Sequence, residues 1–325
     1  MRNHELVGTE LIQSISGIKG TAYHHLSNLC HNRLISHEGK PYDGYTLTKN
    51  GYDFLALHTL VKRGTISHIA GILGQGKEAD VYTAFADDET PLVIKFHRIG
   101  RVSFRKAKDT RDYLSKKHSS SWLYLSRLSA QREFQNMSAL QDFPVPRAID
   151  WNRHAVVMSL IPGTLLNNVN QLDDPSHVFD NCVDLAVRLL KIGVVHADFS
   201  QFNIIIGDDG KITLIDFPQC LKYTNPEAEE KFNHDLSELR RFFDLRFDLK
   251  VESLPQFSDF SDEIVPRDMS KAVNGNEEED NEEEENQDAK IQQKVSRENR
   301  YRIKPRRKKE SKTMSKLKKE AKLFE

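Results

Sequence analysis

Two short apolar runs flanked by acidic residues constrain the fold of this chain more than any other feature. The first run, residues 204–206, follows Asp198 and Asn203, and the second run ends at Asp216. Between the runs lies the turn sequence Asp208-Asp209-Gly210, so the pattern predicts a β-hairpin. This hairpin brings two carboxylates and one amide together. Oxygen ligands of this kind suit Mg²⁺, whose octahedron phosphate oxygens can complete.

The spacing within this stretch indicates a particular chemistry. His196, Asp198 and Asn203 fit the pattern H-x-D-x-x-x-x-N, and Asp216-Phe217 follows the asparagine by thirteen residues. In the protein-kinase arrangement the first aspartate receives the hydroxyl proton, whereas the asparagine and the second aspartate hold magnesium. Taken alone, the motif leaves open a surface hairpin whose Asp and Asn residues serve only turns.

A glycine-rich segment upstream is typical of a phosphate-binding loop. Gly74 and Gly76 would let backbone N–H groups approach a polyphosphate, and Lys77 adds positive charge. A tight turn alone would explain two such glycines. However, Lys95 follows in an apolar strand, where a kinase places the lysine that grips the α and β phosphates. The order of these motifs predicts a nucleotide site and disfavours the surface hairpin.

Two further segments complete the predicted site. Glu133 is expected to pair with Lys95, although the polar, serine-rich residues 101–121 separate them and predict a loop near the nucleotide. An exposed and unpaired Glu133 is the alternative. The apolar strand that begins at Ala155 is expected to leave the small lobe and to hold the adenine edge near residues 159–161. The expected nucleotide contacts there are Met158, Leu160 and Ile161.

Residues 1 to about 65 predict a winged helix: two helices, two short strands around a Gly/Pro/Asp turn, and a third helix. In helix-turn-helix proteins the second helix presents its outer side chains to a nucleic-acid groove. Charge is modest here, so protein docking is the alternative. A complete winged helix has another helix ahead, and we therefore expect a shortened domain or an incomplete start. The candidate contacts are Lys19, His24, His25, Asn28, His31 and Arg33.

The remaining composition predicts a charged tail and an intracellular protein. The chain is only 38% hydrophobic, and an acidic run at 277–285 precedes a basic cluster at 304–309. We expect residues 251–325 to be disordered, with the basic part binding RNA, acting as a nuclear import signal or only aiding solubility. Three cysteines without a C-x-x-C pair favour a reducing compartment, and neither a signal core nor a membrane span is evident.

Several longer segments resemble the RIO atypical kinases over about residues 1 to 250, and the N-terminal domain is similar to the branch that carries a winged helix, the Rio-two type. Ala79 and Ala197 depart from the serine and glycine that many members carry, and neither change removes a catalytic side chain. The segments that carry the resemblance are Gly76-Lys-Glu-Ala-Asp-Val-Tyr82, Ile94-Lys-Phe-His-Arg-Ile-Gly-Arg-Val-Ser-Phe-Arg105, Ser121-Trp-Leu-Tyr-Leu-Ser-Arg-Leu-Ser-Ala130, Asn152-Arg-His-Ala-Val-Val-Met158, His196-Ala-Asp-Phe199 and Ile215-Asp-Phe-Pro-Gln219.

The resemblance implies an α+β fold: a winged helix (1–65), a minimal two-lobed kinase-like RIO domain (66–250) and the tail. It implies ATP and Mg²⁺ as cofactors, with Lys95 on phosphate, Asp198 in catalysis, and Asn203 and Asp216 on magnesium. In this branch the metal-site aspartate can accept the phosphoryl group, which would make Asp216 a phospho-aspartate. The resemblance also implies late maturation of the small (40S) ribosomal subunit, with pre-40S particles, their assembly factors and rRNA as partners, in a cytoplasmic protein that could shuttle through the nucleus.

The chain after Asp216 favours an ATPase over a peptide kinase. Only a helix from about Pro226 to Phe243 is expected before the composition changes, whereas peptide recognition needs an activation segment and several helices. Phosphoryl transfer is mostly positioning and charge neutralisation, so ATP turnover survives that loss. A serine/threonine kinase acting in trans and an RNA-binding ribosome-assembly scaffold that only senses ATP are the alternatives. A small-molecule phosphotransferase ranks last, because Ser200 stands where those enzymes carry histidine.

Overall fold

The structure is a computed structural model that describes residues 6–18, 21–40, 42–99 and 122–269. The described residues divide into two compact units, with the division between Tyr52 and Asp53. The predicted insertion at 101–121 and the acidic and basic parts of the tail lie outside the described residues.

The first unit has the predicted order of a winged helix. Its elements are α1 (Thr9–Ser16), α2 (Tyr23–His31), β1 (Ile35–Glu38), β2 (Gly44–Leu47) and the beginning of α3 (Lys49–Lys62). Gly17 ends α1 in the left-handed region, at φ 64°. The two strands pair antiparallel, with Ile35 opposite Leu47, and Leu26 of α2 is buried beside Ile35 and Tyr45. Cys30, one turn after Leu26, packs on the same cluster, so these two positions mark the face of α2 that covers the small sheet.

The second unit begins with a five-stranded antiparallel sheet in the order β3-β4-β5-β7-β6. Its strands are β3 (His68–Gln75), β4 (Ala79–Phe85), β5 (Pro91–His97), β6 (Ala148–Asn152) and β7 (Ala155–Ser159), and α4 (Trp122–Ala139) packs on β5, β6 and β7. Ala56 and Leu60, in the second half of α3, are completely buried in this sheet's core. The compact division therefore falls within α3, ahead of the predicted boundary near residue 65.

A buried ionic cluster anchors α3 to this sheet. The two terminal nitrogens of Arg98 donate to the two carboxylate oxygens of Asp53 at 2.6 and 2.7 Å, while its Nε donates to Asp80 at 2.8 Å. Nε2 of the buried His154 lies 2.7 Å from Asp53 Oδ1. Burial lowers the pKa of His154, and hydrogen bonding to Asp53 opposes that change without reversing it. Arg98 thus joins α3 to β4, the strand that follows the glycine-rich turn.

The large lobe contains the predicted hairpin between two long helices. The hairpin strands are β10 (Ile204–Ile206) and β11 (Ile212–Leu214), and β10 also pairs with β8 (Thr164–Leu165). The helices are α5 (Pro175–Lys191), capped by the Asp174 carboxylate, and α6 (Ala228–Phe247). A second short pair joins β9 (Val194–Val195) to β12 (Leu221–Lys222). Phe179 of α5 meets Phe243 of α6 edge-on at 5.3 Å, so the two helices share one core.

Residues 251–269 belong to the large lobe, which corrects the predicted start of the disordered tail at residue 251. A 3₁₀ helix (Phe257–Glu263) places the Phe257 ring 6.1 Å from Phe232. Beyond it, the backbone N–H groups of Val265 and Arg267 donate to carbonyls at the end of α5. Arg267 also forms a bidentate ion pair with Asp142, at 2.5 and 2.7 Å. Val251, Leu254, Phe257, Phe260 and Ile264 recur every three or four residues and pack against the core, a pattern that the predicted tail boundary did not take into account.

All three cysteines lie in the described part of the chain. Cys182 and Cys220 are buried, Cys30 is half-buried, and all three are free thiols. Burial raises the pKa of both Cys182 and Cys220, so these thiols stay protonated. Among the residues that the structure describes, no helix is both long and apolar enough to cross a membrane.

Candidate active site

The glycine-rich turn lies between β3 and β4, as predicted. Gly74 pairs with Val81, and the Gly76 N–H donates to the Ala79 carbonyl at 2.8 Å. A side chain at Gly74 would meet no protein atom within 4 Å, so packing within the chain does not require glycine there. Lys77 is exposed at the turn. Open space on the glycine side is what backbone contact with a bound phosphate group would need.

Lys95 lies at the centre of a buried charge network. Its Nζ donates to Glu133 Oε1 and to Asp216 Oδ1, at 2.7 Å in each case. The predicted Lys95–Glu133 pair is therefore confirmed, and the alternative of an exposed Glu133 is wrong, because only 1% of the Glu133 side chain is exposed. Asp216 is more open, with 36% of its side chain exposed. The strand lysine thus meets one carboxylate from α4 and one from the segment after β11.

The protonation states in this network follow from burial and pairing. Burial alone would lower the Lys95 pKa, but attraction to Asp216 and Glu133 outweighs it and raises that pKa above its usual value. Burial would raise the Glu133 pKa, yet Lys95 and His97 hold it below its usual range. Lys95 is therefore a cation and Glu133 an anion at neutral pH.

Residues 196–203, here called the catalytic loop, are fixed by hydrogen bonds of Asn203. Asn203 is buried and its Nδ2 donates to the Asp198 carbonyl at 2.8 Å, while the Ile215 N–H donates to the Asn203 carbonyl at 2.9 Å. Ala197 and Asp216 have φ values of 64° and 72°. Non-glycine residues rarely adopt these values, and such strain persists where the surroundings impose it, often at functional sites. The sequence pattern places Asp216 at the end of the second strand. In the structure β11 ends at Leu214, so Asp216 lies two residues beyond it.

Four residues that the sequence did not single out support this site. His97 Nε2 lies 2.6 Å from Glu133 Oε2, and Gln219 Nε2 donates to Asp198 Oδ2 at 3.1 Å. Asn136 Nδ2 donates to the Phe217 carbonyl at 2.8 Å, and Asp235 of α6 is buried beneath the catalytic loop. The sequence contains a signal for two of them. His97 follows Lys95 by two residues on a strand, and Asn136 follows Glu133 by three residues on a helix, so each lies on the same face as the predicted site residue before it.

Asp235 and His196 form a buried layer below the loop that carries Asp198. Burial raises the pKa of Asp235 to about 7, an effect that the backbone N–H groups of Phe199 and Ala197 oppose and the Asp198 charge reinforces. Burial also lowers the pKa of His196 to about 4, and its ring packs edge-on against Phe199 and Phe217. The neutral imidazole of His196 therefore contributes packing contacts. The pKa of about 7 allows the Asp235 carboxyl to change its protonation state near neutral pH.

The segment predicted to hold the adenine edge leaves the sheet where expected. Met158 is buried in β7 and pairs with Val93, whereas Leu160 and Ile161 follow the strand and are half-buried. At Gly163 (φ 141°) a side chain would come within 2.4 Å of the Ile206 carbonyl. Only glycine allows this approach, which brings the connection between the lobes against the hairpin. The backbone at 159–161 remains the predicted contact.

The predicted contacts of the winged helix are on the surface where they are described. His24, His25, Asn28 and His31 are exposed on α2, and Arg33 is exposed just after it, at φ 57°. Lys19 lies outside the described residues. Exposure makes contact with a partner feasible and does not distinguish nucleic acid from protein.

The site can bind a polyphosphate and a hard cation together. Lys95 supplies the positive charge, and the oxygens of Asn203 and Asp216 are candidate Mg²⁺ ligands of the right chemical type. Within the described part of the chain, no three His, Cys, Asp or Glu side chains cluster so as to hold a metal ion by themselves. Mg²⁺ commonly keeps water and phosphate oxygens among its ligands, so an Asn–Asp pair fits this ion when a nucleotide is present.

Comparisons with known proteins agree with this geometry. A family model described as the RIO domain matches residues 80–254, and a model described as Rio2, N-terminal, matches residues 1–63. The serine/threonine-protein kinase rio2 of Dictyostelium discoideum is 47% identical over 262 residues, which is 80% of this chain and 50% of that protein. The Schizosaccharomyces pombe rio2 kinase is 39% identical over 264 residues, covering 80% of this chain and 76% of that protein.

A solved structure matches as well. The Rio2 kinase of Chaetomium thermophilum, crystallised as an ADP/Mg²⁺-phosphoaspartate complex, has a TM-score of 0.71 and 36% sequence identity. The match covers 83% of this chain and 85% of that one. In contrast, this chain spans only half the length of the Dictyostelium relative.

Proposed function

This chain belongs to the RIO kinase family, in its Rio2 branch, and on that basis we propose that it is a Mg²⁺-dependent, ATP-binding phosphoryl-transfer enzyme that works as a switch-like ATPase. The observation that carries the proposal is the meeting of Lys95 with Glu133 and Asp216, each at 2.7 Å. It joins a phosphate-binding cation to a candidate metal ligand in one cleft. Bound Mg²⁺ would neutralise charge on the phosphate oxygens, and the residues of the chain position the reacting groups.

The short connection after Asp216 favours ATP hydrolysis over transfer to a peptide. Residues 217–227 contain only the strand β12 and turns before α6 begins. Phe217 is fully buried and Cys220 nearly so, which fixes the first half of the connection, whereas Thr224, Pro226 and Glu227 before α6 are exposed. A connection this short has no helix or long extended segment of its own with which to bind a protein substrate. Water therefore suits this cleft as the final acceptor better than a serine side chain does.

We propose that Asp216 is transiently phosphorylated during each turnover. A carboxylate oxygen of Asp216 attacks the γ-phosphorus of ATP, the bond to the bridging oxygen breaks, and ADP leaves. Water then attacks the phosphorus of the acyl phosphate and gives a proton to Asp198, so inorganic phosphate leaves and the Asp216 carboxylate is restored. The phosphoaspartate in the Chaetomium Rio2 kinase supports this order of events. Lys95 contacts Asp216 through Oδ1, and we propose that Asp216 gives up this contact during the cycle.

A single-turnover experiment tests the proposal. The purified chain is incubated with γ-labelled ATP and Mg²⁺, and the labelled protein is treated with acid and with hydroxylamine. We expect a hydroxylamine-labile label that is absent from Asp216→Asn and present in Asp208→Asn, a matched change at the exposed hairpin turn. A stable label on serine with efficient transfer to an added protein would replace the ATPase with a kinase acting in trans. Absence of both label and hydrolysis would leave an ATP-sensing scaffold.

We also propose a role in late maturation of the 40S subunit, in the cytoplasm with passage through the nucleus, on pre-40S particles and rRNA. Family resemblance motivates this proposal, and the exposed polar side chains of α2 support contact with rRNA. Binding to rRNA fragments should weaken steeply as salt rises, because each phosphate contact releases counterions. A flat salt response of the full chain would contradict rRNA binding through its basic groups.

A further inference from the structure

His97 and Lys95 contact the same carboxylate from the same face of β5. Residues two apart on a strand point to one side, and here both side chains face α4. Lys95 Nζ lies 2.7 Å from Glu133 Oε1, and His97 Nε2 lies 2.6 Å from Glu133 Oε2. His97 and Glu133 are both almost completely buried. Each oxygen of the Glu133 carboxylate therefore has its own partner on β5.

The chemistry of this contact defines the state of the imidazole. An ionised carboxylate has no proton to donate, so the Nε2 atom must carry the hydrogen. Burial lowers the pKa of His97, an effect that Glu133 opposes without reversing it. His97 is thus a neutral donor that holds Glu133 in place without cancelling its charge. An imidazolium in the same position would compete with Lys95 for that charge.

This arrangement matters when Asp216 changes partner. In the proposed cycle Asp216 leaves Lys95 to bind metal and accept phosphate, and Glu133 is then the carboxylate that keeps Lys95 in place. A carboxylate bound at one oxygen only can rotate or take up a proton. Binding at the second oxygen prevents both, because it fixes the plane of the group and favours its ionised form.

We propose that His97 is a positioning residue that orients Glu133 and keeps it ionised, so that Lys95 stays directed at the nucleotide phosphates while Asp216 exchanges partners. The imidazole of His97 contacts Glu133, and the proposed effect acts through that residue. The part of this inference that concerns the exchange rests on the proposed function, whereas the orientation of Lys95 does not. Other charged or titratable groups also lie near this pair. Lys95, Asp216, Cys220 and Arg132 surround Glu133, and His154 lies near His97.

Affinity for ADP with Mg²⁺ tests the proposal without requiring any turnover. In His97→Leu we expect about tenfold weaker binding at pH 7.5, since a hydrogen bond to a charged group is lost. His97→Gln, which can return an N–H donor to Glu133, should recover most of the affinity. His68→Leu removes an exposed histidine from the same sheet and should bind ADP as the unchanged chain does.

The pH profile separates positioning from packing. Asp235 and the ADP phosphates titrate in the unchanged chain and in the variants alike, so each affinity is expressed relative to the unchanged chain at the same pH. In the unchanged chain Lys95 and His97 together hold the Glu133 pKa below its usual range. Loss of the His97 donor leaves only Lys95 to oppose burial, so the relative affinity of His97→Leu should fall as the pH drops from 7 to 5.5. Equal affinity in His97→Leu and the unchanged chain would overturn the proposal. Equal losses in the Leu and Gln variants, with relative affinities that do not change with pH, would also overturn it, in favour of packing. If His97→Leu does not fold, His97→Asn, whose amide is too short to reach Glu133, replaces it under the same criteria.

ADP binding also distinguishes this proposal from the proposed function. Failure of Asp216 to accept phosphate would leave the expected ADP affinities unchanged, because no phosphoryl group is transferred in this assay. Conversely, wild-type affinity in His97→Leu would leave the phospho-aspartate experiment unaffected.

Discussion

Asparagine in place of Asp198 is expected to lower steady-state ATP turnover by about 10²–10⁴-fold, the usual contribution of a general base. The amide has nearly the shape of the carboxylate and can still meet Gln219, which donates to Asp198 Oδ2 at 3.1 Å. It cannot take a proton from water. The first step, attack by Asp216, needs no base at Asp198. We therefore expect labelled phospho-aspartate to accumulate in Asp198→Asn instead of disappearing.

Rapid quench with γ-labelled ATP measures both quantities, the label on the protein and the phosphate released. Asp208→Asn is the matched control, because it makes the same change at the exposed turn of the hairpin and should keep turnover within about twofold. Undiminished phosphate release in Asp198→Asn would show that Asp198 is not the base. Loss of the label together with turnover would place Asp198 in the first step, contrary to the mechanism proposed here.

The catalytic loop explains why this one substitution should act locally. Asn203 holds the Asp198 carbonyl, and the N–H of Ile215 holds the Asn203 carbonyl. The backbone that carries Asp198 is thus connected to the segment that carries Asp216. Neither hydrogen bond involves the Asp198 carboxylate. A change confined to that carboxylate should therefore preserve both hydrogen bonds.

Local pattern was enough to predict the catalytic hairpin. Turn residues between two apolar runs predicted β10 and β11, and the motif spacing indicated which polar groups flank them. The Lys95–Glu133 pair was harder, because residues 101–121 separate its members, yet the order of motifs indicated it correctly. The hairpin was thus predictable from one short segment, and the ion pair was predictable from the order of the motifs along the chain.

Contacts between distant segments account for what the sequence did not reveal. Asp235 shares the apolar face of α6 with Phe232 and Leu239, so helical spacing marks it as an inward-facing carboxylate, but only the folded lobe shows that it lies beneath the catalytic loop. Residues 251–269 carry apolar residues at regular spacing, yet their partners appear only in the folded lobe, where Phe257 meets Phe232 on α6 and Arg267 donates to Ala139 at the end of α4. Packing of this kind depends on surfaces that other parts of the chain create.

Methionine in place of Lys95 is expected to lower the free energy of unfolding by about 3–5 kcal/mol, because removing one member of a buried ion pair leaves a charge without its partner. Methionine fills much of the volume of the lysine stem but supplies no charge. The Glu133 side chain is 1% exposed and would face Asp216 without the cation between them. Lys77→Met, at the exposed turn, is the matched control and should change stability by less than about 0.5 kcal/mol.

The loss in Lys95→Met should depend on pH in a defined direction. In the unchanged chain Lys95 holds the Glu133 pKa below its unfolded value, so this stability is present at neutral pH and lost only as the pH falls through the lowered pKa. Without Lys95, burial raises the Glu133 pKa above its unfolded value, and stability is lost as the pH rises through it. Urea unfolding at pH 5, 6.5 and 8 should therefore show a difference that grows with pH. A constant difference would mean that lost packing, not charge, causes the effect.

A double variant separates the structural role of this ion pair from its catalytic role. Lys95→Met with Glu133→Leu replaces both charges by apolar groups, and such replacements often restore the stability that a single change removes. We expect the double variant to be more stable than Lys95→Met at pH 8, although His97 loses its acceptor and limits the recovery. ADP affinity should remain as low as in the single variant, because no cation remains in the cleft to meet the phosphates. Recovery of ADP binding together with stability would contradict the assignment of Lys95 to the nucleotide.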